Sequence, residues 1–591
     1  MKVLFVYPNI KTRNGPHYQH GTGLLISVLK RANHEVKLAY LQDEKDLQAL
    51  PEFIKSYQPN LVAISFGTNQ WQIARLAAEA IKGVSDTPVI CGGVHTTFVP
   101  DEVLNNPNVD MVCIGEGEGA IVELANSLEK GHEIKNIKNL WLKTTNGVVK
   151  NPLRPLIDDL DSLPFGDRNE FPMQKILEES GYEMSVMASR GCPLKCTYCC
   201  NHAWSKLYAG LGKYVRFRSV DSVLSEIDEL SKRYRIETIY FEDDIFTLKK
   251  PWTYEFVEKY PKNFDFPFRI YVRAEAIDFD MLKSLKSAGL YMINIGLESG
   301  DVHIRKNVMK RNMTDVQLAR VFDWAKKLDI IVRDFNIVGT PGETKETVEK
   351  TVEINRKVLP DQIQVSIFYP YPGTELYELC KKNNWIVEGE KLTYFEDKGV
   401  LDLPTMSQDE IAKAYAEFCD EARKIEKQKE NLDFENSKRG YYDFIEHLDK
   451  ARLIFGAPRQ LRRDRVIVKG ERRFVIFEHP RAKLLYENVK IEPNSYLNFG
   501  IALDPRCLSW GGRGIRFIVK AVDTVGENVI FDQYINPKSD PSQNRWHNFS
   551  ISLGNFARKS IGIVYETQPD DSGDLTGAWS IWSRPFLDVK K

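Results

Sequence analysis

The sequence has few cysteines, no long apolar run and no excess of either charge. Nine cysteines among 591 residues are too few for a disulfide framework. The longest apolar runs, such as 61–66 and 474–477, fall far short of the ~20 residues that span a bilayer. Lys and Arg (81) balance Asp and Glu (82), so no global field favours nucleic acid or an anionic membrane. Because the start also lacks the features of a signal peptide, we expect a cytoplasmic protein.

What the sequence does have is an ordinary globular composition, 42% hydrophobic and 28% charged, over a length that predicts three or four folding units. Residues 1–135 alternate short β-rich runs with helical periodicity, which predicts a doubly wound, Rossmann-like α/β domain with a parallel sheet. Residues 136–180 contain an Asn-Gly hairpin signal at 146–147 and a proline-rich connector.

A second α/β domain is predicted over residues 181–403. Six candidate strands begin near residues 185, 238, 268, 291, 332 and 362, with helical segments between them. Repeated βα units of this kind predict a partial (β/α)6 barrel of the TIM type, with its active site at the carboxyl ends of the strands. Residues 404–455 read as a helical extension, and residues 456–591, with short strands between turn residues, as an all-β sandwich.

Small and polar residues follow several strands of the amino-terminal domain. Ligands of doubly wound sheets bind at the carboxyl ends of strands, where glycine lets the backbone approach closely. The alternative is that these glycines only form tight turns. The predicted ligand contacts in this domain are Ser65, Gly67, Gly92, Gly93, His95, Gly115 and Glu116.

Four cysteines crowd into residues 192–200, and three of them, Cys192, Cys196 and Cys199, are spaced as Cys-x3-Cys-x2-Cys directly after a candidate strand. Three thiolates can hold three irons of a 4Fe–4S cluster and leave the fourth iron open to a small chelating ligand. The alternatives are a zinc site completed by Cys200 or His202, or simply a loop rich in thiols.

This spacing, with the aromatic Tyr198 just before the last cysteine, resembles the signature of the radical S-adenosylmethionine (SAM) enzymes. Motifs at later strand ends extend the resemblance: 241–246 (Phe-Glu-Asp-Asp-Ile-Phe), 294–300 (Asn-Ile-Gly-Leu-Glu-Ser-Gly), 336–343 (Asn-Ile-Val-Gly-Thr-Pro-Gly-Glu) and 368–374. The resemblance implies that the three cysteines bind a 4Fe–4S cluster. It also implies that SAM contacts come from Tyr198, Asp243, Arg273, Glu298, Ser299 and Gly339.

The amino-terminal domain resembles the cobalamin-binding domain that precedes the barrel in one branch of this family, the class B radical SAM methyltransferases. Residues 92–104 and 110–118 carry this likeness. The Asp-x-His-x-x-Gly motif, whose histidine binds cobalt from below in many cobalamin proteins, is absent. His17 and His20 are expected to be surface or turn residues, and cobalamin is expected to bind without a histidine below cobalt.

The resemblance implies that one electron from the reduced cluster cleaves SAM to methionine and a 5′-deoxyadenosyl radical. The expected function is cobalamin-dependent methylation of an unactivated carbon in a natural-product, lipid or sugar-type small molecule, with flavodoxin or ferredoxin as electron donor. The alternatives are cyclisation, rearrangement or desaturation without methyl transfer, or a glycan- or partner-binding protein with a degenerate radical core. In the last domain Trp546, Trp579 and Trp582 either stack on sugars or belong to the core.

Overall fold

The computed structural model describes residues 1–10, 15–387, 399–457, 461–570 and 573–590. The chain forms two compact units, one comprising Met1–Glu179 with Met184–Lys427 and the other Ser180–Glu183 with Gln428–Lys591. Within the described ranges no helix is long and apolar enough to cross a membrane.

The amino-terminal part of the first unit is a doubly wound α/β domain, as predicted. Its sheet has the order β2-β1-β3-β4-β5-β6-β7, parallel from β2 to β5, and the predicted hairpin adds β6 and β7 as antiparallel strands. The central strand β3 is buried along its whole length because helices cover both faces of the sheet. The elements are β1 Lys2–Pro8, α1 His20–Arg31, β2 Glu35–Leu41, α2 Glu44–Tyr57, β3 Leu61–Ser65, α3 Trp71–Lys82, β4 Val89–Gly92, α4 Val94–Phe98, α5 Pro100–Asn105, β5 Met111–Cys113, α6 Glu118–Lys130, β6 Leu140–Thr144 and β7 Gly147–Lys150.

The rest of the first unit is built on an open six-stranded sheet with the order β15-β14-β13-β12-β11-β8, in which the pairs from β11 to β15 are parallel. Sequential parallel strands with helices between them confirm the predicted half-barrel. The elements are α7 Met173–Glu179, β8 Glu183–Val186, β9 Ser189–Arg190, α8 Cys200–Leu207, β10 Arg216–Phe217, α9 Val220–Arg233, β11 Thr238–Phe241, α10 Lys250–Asn263, β12 Phe268–Val272, α11 Phe279–Ser287, β13 Leu290–Glu298, α12 Asp315–Lys327, β14 Ile331–Val338, α13 Lys345–Val358, β15 Gln362–Ile367, α14 Glu375–Lys382 and α15 Gln408–Ser437.

The second unit is an antiparallel β-sandwich, with sheets ordered β18-β19-β26-β21-β24 and β17-β20-β25-β22-β23. Trp546 and Trp582 are buried, so these two indoles belong to the core and are unavailable for stacking on a sugar. Trp579 packs against the same core. The strands are β16 Tyr442–Asp443, β17 Arg452–Phe455, β18 Leu461–Val468, β19 Glu471–Glu478, β20 Ala482–Lys490, β21 Ser495–Leu503, β22 Ile515–Val522, β23 Glu527–Ile535, β24 His547–Ser552, β25 Ser560–Pro569 and β26 Ser580–Val589.

Candidate active site

The cysteine motif forms a loop, residues 191–199, which we call the cluster loop, between β9 and α8. Thr197 fixes its centre, since its N–H donates to the Met309 carbonyl (3.2 Å) and its hydroxyl donates to the Val308 carbonyl (2.6 Å). The Cys199 N–H donates to the Cys196 carbonyl at 3.2 Å. The loop is therefore held in one conformation by the barrel, with its thiols at the carboxyl ends of the strands.

The three thiols lie near one another. Burial raises the pKa of Cys192 to about 12, with smaller contributions from the nearby Asp244, Cys199 and Cys196. The Cys200 thiol lies against Cys199 and lowers the pKa of Cys199 by hydrogen bonding. Among the described side chains no three His, Cys, Asp or Glu are grouped to hold one metal ion. Three thiols on one loop fit a cluster, in which each thiolate binds a different iron.

A cavity of about 460 Å³, the barrel cavity, opens beside the cluster loop and is lined by Tyr198, Asp244, Arg273, Glu298, Arg311 and Tyr371. Arg273 follows β12 and is 7% exposed. Its Nη1 donates to Cys196 Sγ at 3.7 Å, while Nη2 donates to Glu275 Oε1 at 2.7 Å. A cation at this place offsets the negative charge of a thiolate-bound cluster and tunes it.

Glu298, at the end of β13, forms the second polar group of the barrel cavity. Tyr198 donates to its Oε1 at 3.1 Å, and Arg311 Nη1 lies 3.3 Å from the same oxygen. Burial raises the pKa of the Tyr198 hydroxyl well above its ordinary value. Burial opposes the charge of Arg311, but Tyr198 and Glu298 raise its pKa on balance. Glu298 adopts φ +65°, a strained conformation of the kind that clusters at functional sites.

Three of the predicted SAM contacts are not among the residues that line the barrel cavity. Asp243 is 1% exposed and accepts hydrogen bonds from the Ala188 N–H (3.2 Å) and the Ser189 hydroxyl, so it anchors the strand before the cluster loop. Ser299 is fully buried. Gly339 lies in a turn, and its N–H donates to Glu343 Oε2 at 2.7 Å. Their roles as SAM contacts stay predictions. The neighbouring Asp244 does line the cavity.

A second cavity, of about 430 Å³, lies where the carboxyl ends of the amino-terminal strands meet the barrel, and we call it the junction cavity. Its lining includes five of the predicted contacts, Ser65, Gly92, Gly93, Gly115 and Glu116, together with Arg190, Glu242 and Asp244 from the barrel.

Glycine is required at two of these strand ends. Gly93 has φ +99°, and a Cβ there would overlap the Phe66 carbonyl. Gly115 has φ +79°, and a Cβ there would overlap the hydroxyl of Tyr208, which follows α8 and accepts from the Glu116 N–H at 2.8 Å. These glycines therefore do more than form turns, because Gly93 lets two neighbouring strand ends approach closely and Gly115 lets the barrel approach the strand end.

His95 and His20 are placed differently from what the sequence predicts. His95 is 3% exposed, packs near Phe66 and Trp71, and is not among the residues lining the junction cavity; burial lowers its pKa to about 4. Gly67 is likewise not among those lining residues, and its N–H donates to Gln70 Oε1 (2.9 Å). His17 lies half-buried in the irregular segment before α1, as expected of a turn residue, whereas the expectation is wrong for His20, which begins α1. His17 bonds Tyr7 (2.8 Å), and His20 lines the junction cavity with its Nε2 2.7 Å from Ser185 Oγ.

Comparisons with known proteins match this architecture. Residues 186–354 match the radical SAM superfamily and residues 8–125 match the B12-binding domain. An uncharacterized methyltransferase of Pyrococcus horikoshii is 30% identical over 433 residues, which cover 71% of this chain and 92% of the relative. The chain belongs to the radical SAM superfamily. Its barrel is preceded by a B12-binding domain, as in the class B branch.

Other relatives and solved structures agree with this radical SAM assignment. The cytidylyl-2-hydroxyethylphosphonate methyltransferase of Streptomyces wedmorensis is 24% identical, over 68% of this chain and 85% of its own length. The radical SAM methyltransferase TsrM of Kitasatospora setae matches with a TM-score of 0.54 and 18% identity, over 66% of this chain and 77% of its own. The cobalamin-dependent radical SAM enzyme OxsB with aqua-cobalamin bound also gives a TM-score of 0.54, at 17% identity, over 66% of this chain and 63% of its own. The two structural likenesses show a shared fold.

This radical SAM protein is an enzyme that uses a 4Fe–4S cluster, SAM and cobalamin. The residues at the site suit these cofactors. The cluster loop adjoins the polar barrel cavity, and the mouth of the barrel faces the glycine-containing strand ends of the amino-terminal domain. Sequence reasoning missed Asp244, Arg311 and Arg190. Arg311 and Arg190 stand in no motif, and only tertiary packing brings them to the cavities.

Proposed function

We propose that this enzyme transfers a methyl group to an unactivated carbon of a small molecule of the natural-product, lipid or sugar type. The observation that carries the proposal is that one side chain, Asp244, lines both the barrel cavity and the junction cavity. The two cavities therefore adjoin. When bound, the cofactors supply a 5′-deoxyadenosyl radical and a transferable methyl group, and such chemistry needs the reacting atoms held near contact distance.

The chain's own residues orient the reactants. Arg273, Glu298 and Tyr198 present fixed charges and a hydroxyl beside the cluster loop, suited to holding a zwitterionic ligand such as SAM. Aromatic side chains, among them Tyr271, Phe335, Tyr369 and Tyr371, also line the barrel cavity. An apolar wall with few polar groups is typical of sites for small organic substrates.

Relatives with methyltransferase names support methylation. The Pyrococcus horikoshii and Streptomyces wedmorensis proteins both carry methyltransferase names, and each is matched over more than four fifths of its length. We infer an external electron donor such as flavodoxin or ferredoxin. The cytoplasmic location stays a prediction.

The test is isotope tracing in cells that express the protein and are fed methionine with a deuterated methyl group. We expect small molecules that gain one deuterated methyl on carbon in cells with the wild-type protein. Cells with the Cys196→Ala variant, which serves as the matched control, should lack them. New products without the label, dependent on Cys196, would instead support cyclisation or rearrangement and contradict methyl transfer.

A further inference from the structure

Two glutamates at the start of α6 face the barrel, and their surroundings differ. Glu116 is saturated: Arg190 Nη1 and Arg216 Nη2 each donate to its Oε1 at 2.8 Å, while the Ile157 N–H (3.0 Å) and Arg216 Nη1 (3.1 Å) donate to its Oε2. Burial opposes its ionisation, but the two arginines hold the pKa of this carboxyl below its usual value.

Glu118 is only half satisfied. Arg190 Nη2 donates to its Oε1 at 2.6 Å. Its Oε2 is buried and has no hydrogen-bond partner among the described residues. The residue as a whole is only 7% exposed. A buried charged acceptor without a hydrogen bond destabilises the fold more than a neutral one does. Such atoms are therefore usually paired with a hydrogen-bond donor. Glu118 borders the junction cavity and also another cavity beside Val28, Arg31 and Ser162. Of the two, the junction cavity adjoins the strand ends, where ligands of doubly wound sheets bind.

The charges around Glu118 indicate what kind of donor fits. Arg190 and Arg216 carry two positive charges, and Glu116 and Glu118 carry two negative charges, so this group is already balanced. A further cation is not needed to neutralise it. A neutral N–H or O–H donor satisfies Oε2 without disturbing the balance. Cobalamin carries neutral carboxamide arms around its ring, and each arm offers such an N–H.

We propose that Glu118 Oε2 accepts a hydrogen bond from a carboxamide arm of cobalamin. Arg190, which holds the other oxygen, lies two residues before Cys192. Glu118 is therefore a cobalamin-binding residue. Its ion pair with Arg190 connects the cobalamin-binding site to the start of the cluster loop. The inference rests on the cobalamin cofactor that the proposed function uses.

The experiment titrates the full-length protein with hydroxocobalamin and with its monocarboxylic acid derivatives, one for each amide arm. In each derivative one carboxamide is a carboxylate, which lacks the N–H and repels Glu118. The binding constants are read from the absorbance of protein-bound corrinoid after removal of free ligand. Glu118→Gln is the test variant because glutamine is isosteric and uncharged. Glu123→Gln is the matched control, since Glu123 lies on the same helix and pairs instead with Arg154.

We expect one derivative to bind the wild-type protein about 10- to 100-fold more weakly than hydroxocobalamin, the loss typical of a charged hydrogen bond. That discrimination should fall to about 3-fold or less in Glu118→Gln and stay unchanged in Glu123→Gln. Equal discrimination in the wild-type and Glu118→Gln proteins would overturn the assignment and leave Oε2 to a buried water, with the proposed function intact. Failure of the wild-type protein to retain any corrinoid would overturn both.

Discussion

Replacing Arg273 with methionine should lower the reduction potential of the cluster by about 100 mV without emptying it. The guanidinium reaches Cys196 Sγ at 3.7 Å and is 7% exposed, so solvent screens it little. At a separation of about 6 Å, a positive charge stabilises an added electron by about 3 kcal/mol when the effective dielectric constant is about 20. For one electron that energy corresponds to about 120 mV.

The ion pair between Arg273 and Glu275 allows a second, smaller shift in reduction potential to be predicted. Glu275 pairs with Arg273 at 2.7 Å, and a carboxylate at a separation of about 9 Å opposes an added electron by about 2 kcal/mol at the same dielectric constant. Removing both charges, in Arg273→Met with Glu275→Gln, should therefore lower the potential by only about 40 mV. Arg273→Lys keeps a charge and should restore most of the wild-type value.

The assay is an anaerobic redox titration in which the reduced cluster is followed by electron paramagnetic resonance, with iron counted in each sample. Arg269→Met is the matched control, since Arg269 lies on the same strand but stacks over Tyr240 at 3.5 Å. A potential unchanged in Arg273→Met, with full iron content, would refute the electrostatic reasoning. Loss of iron in that variant would show that Arg273 holds the loop instead of tuning the cluster.

Three further predictions concern the thiols, the corrinoid and the sandwich. Alanine at any one of the three predicted cluster ligands should abolish cluster loading, whereas Cys200→Ala should retain iron; full loading of Cys196→Ala would contradict the ligand set. Bound cob(II)alamin should show no axial nitrogen splitting in its paramagnetic resonance spectrum, in the wild type and in His20→Ala alike, because His20 Nε2 is engaged by Ser185 (2.7 Å); splitting that His20→Ala removes would make His20 the ligand. Burial raises the pKa of Glu478 from 4.5 to about 8. Between these two pH values the unfolded state is deprotonated while the folded state keeps its proton. The contribution of Glu478 to the free energy of unfolding is therefore full below about pH 4.5 and falls by up to about 5 kcal/mol as the pH rises to 8. Glu478→Gln should flatten that pH dependence in thermal denaturation, and an equally steep dependence in the variant would exclude Glu478 as its source.

The parts of this enzyme that could be predicted from sequence depend on local patterns. The strands of the barrel follow from short apolar runs between helical segments, and the cluster loop follows from cysteine spacing in one contiguous stretch. His20 was misplaced because its partner, Ser185, is 165 residues away in sequence. Asp243 and Asp244 are adjacent and chemically alike, and only the fold decides which one is buried against Ser189 and which one faces the cavities.

The features of the site that could not be predicted from sequence are side-chain pairs whose members lie far apart along the chain. Glu118 and Arg190 meet over 72 residues, and Tyr198 and Arg311 over 113. Neither pair has a local signal, since a lone Arg or Glu is most often a solvated surface residue. In the sandwich, Trp582 is fully buried, and its partner Glu478 lies 104 residues away in sequence.

The most direct test of the account is one anaerobic measurement on one sample of reconstituted, full-length protein. Iron, sulfide and corrinoid are quantified, SAM and a strong reductant are added, and 5′-deoxyadenosine is measured by chromatography. The account predicts about four irons and about one corrinoid per chain, with 5′-deoxyadenosine formed in step with methionine. An intact, reduced cluster with SAM present and no 5′-deoxyadenosine would contradict it.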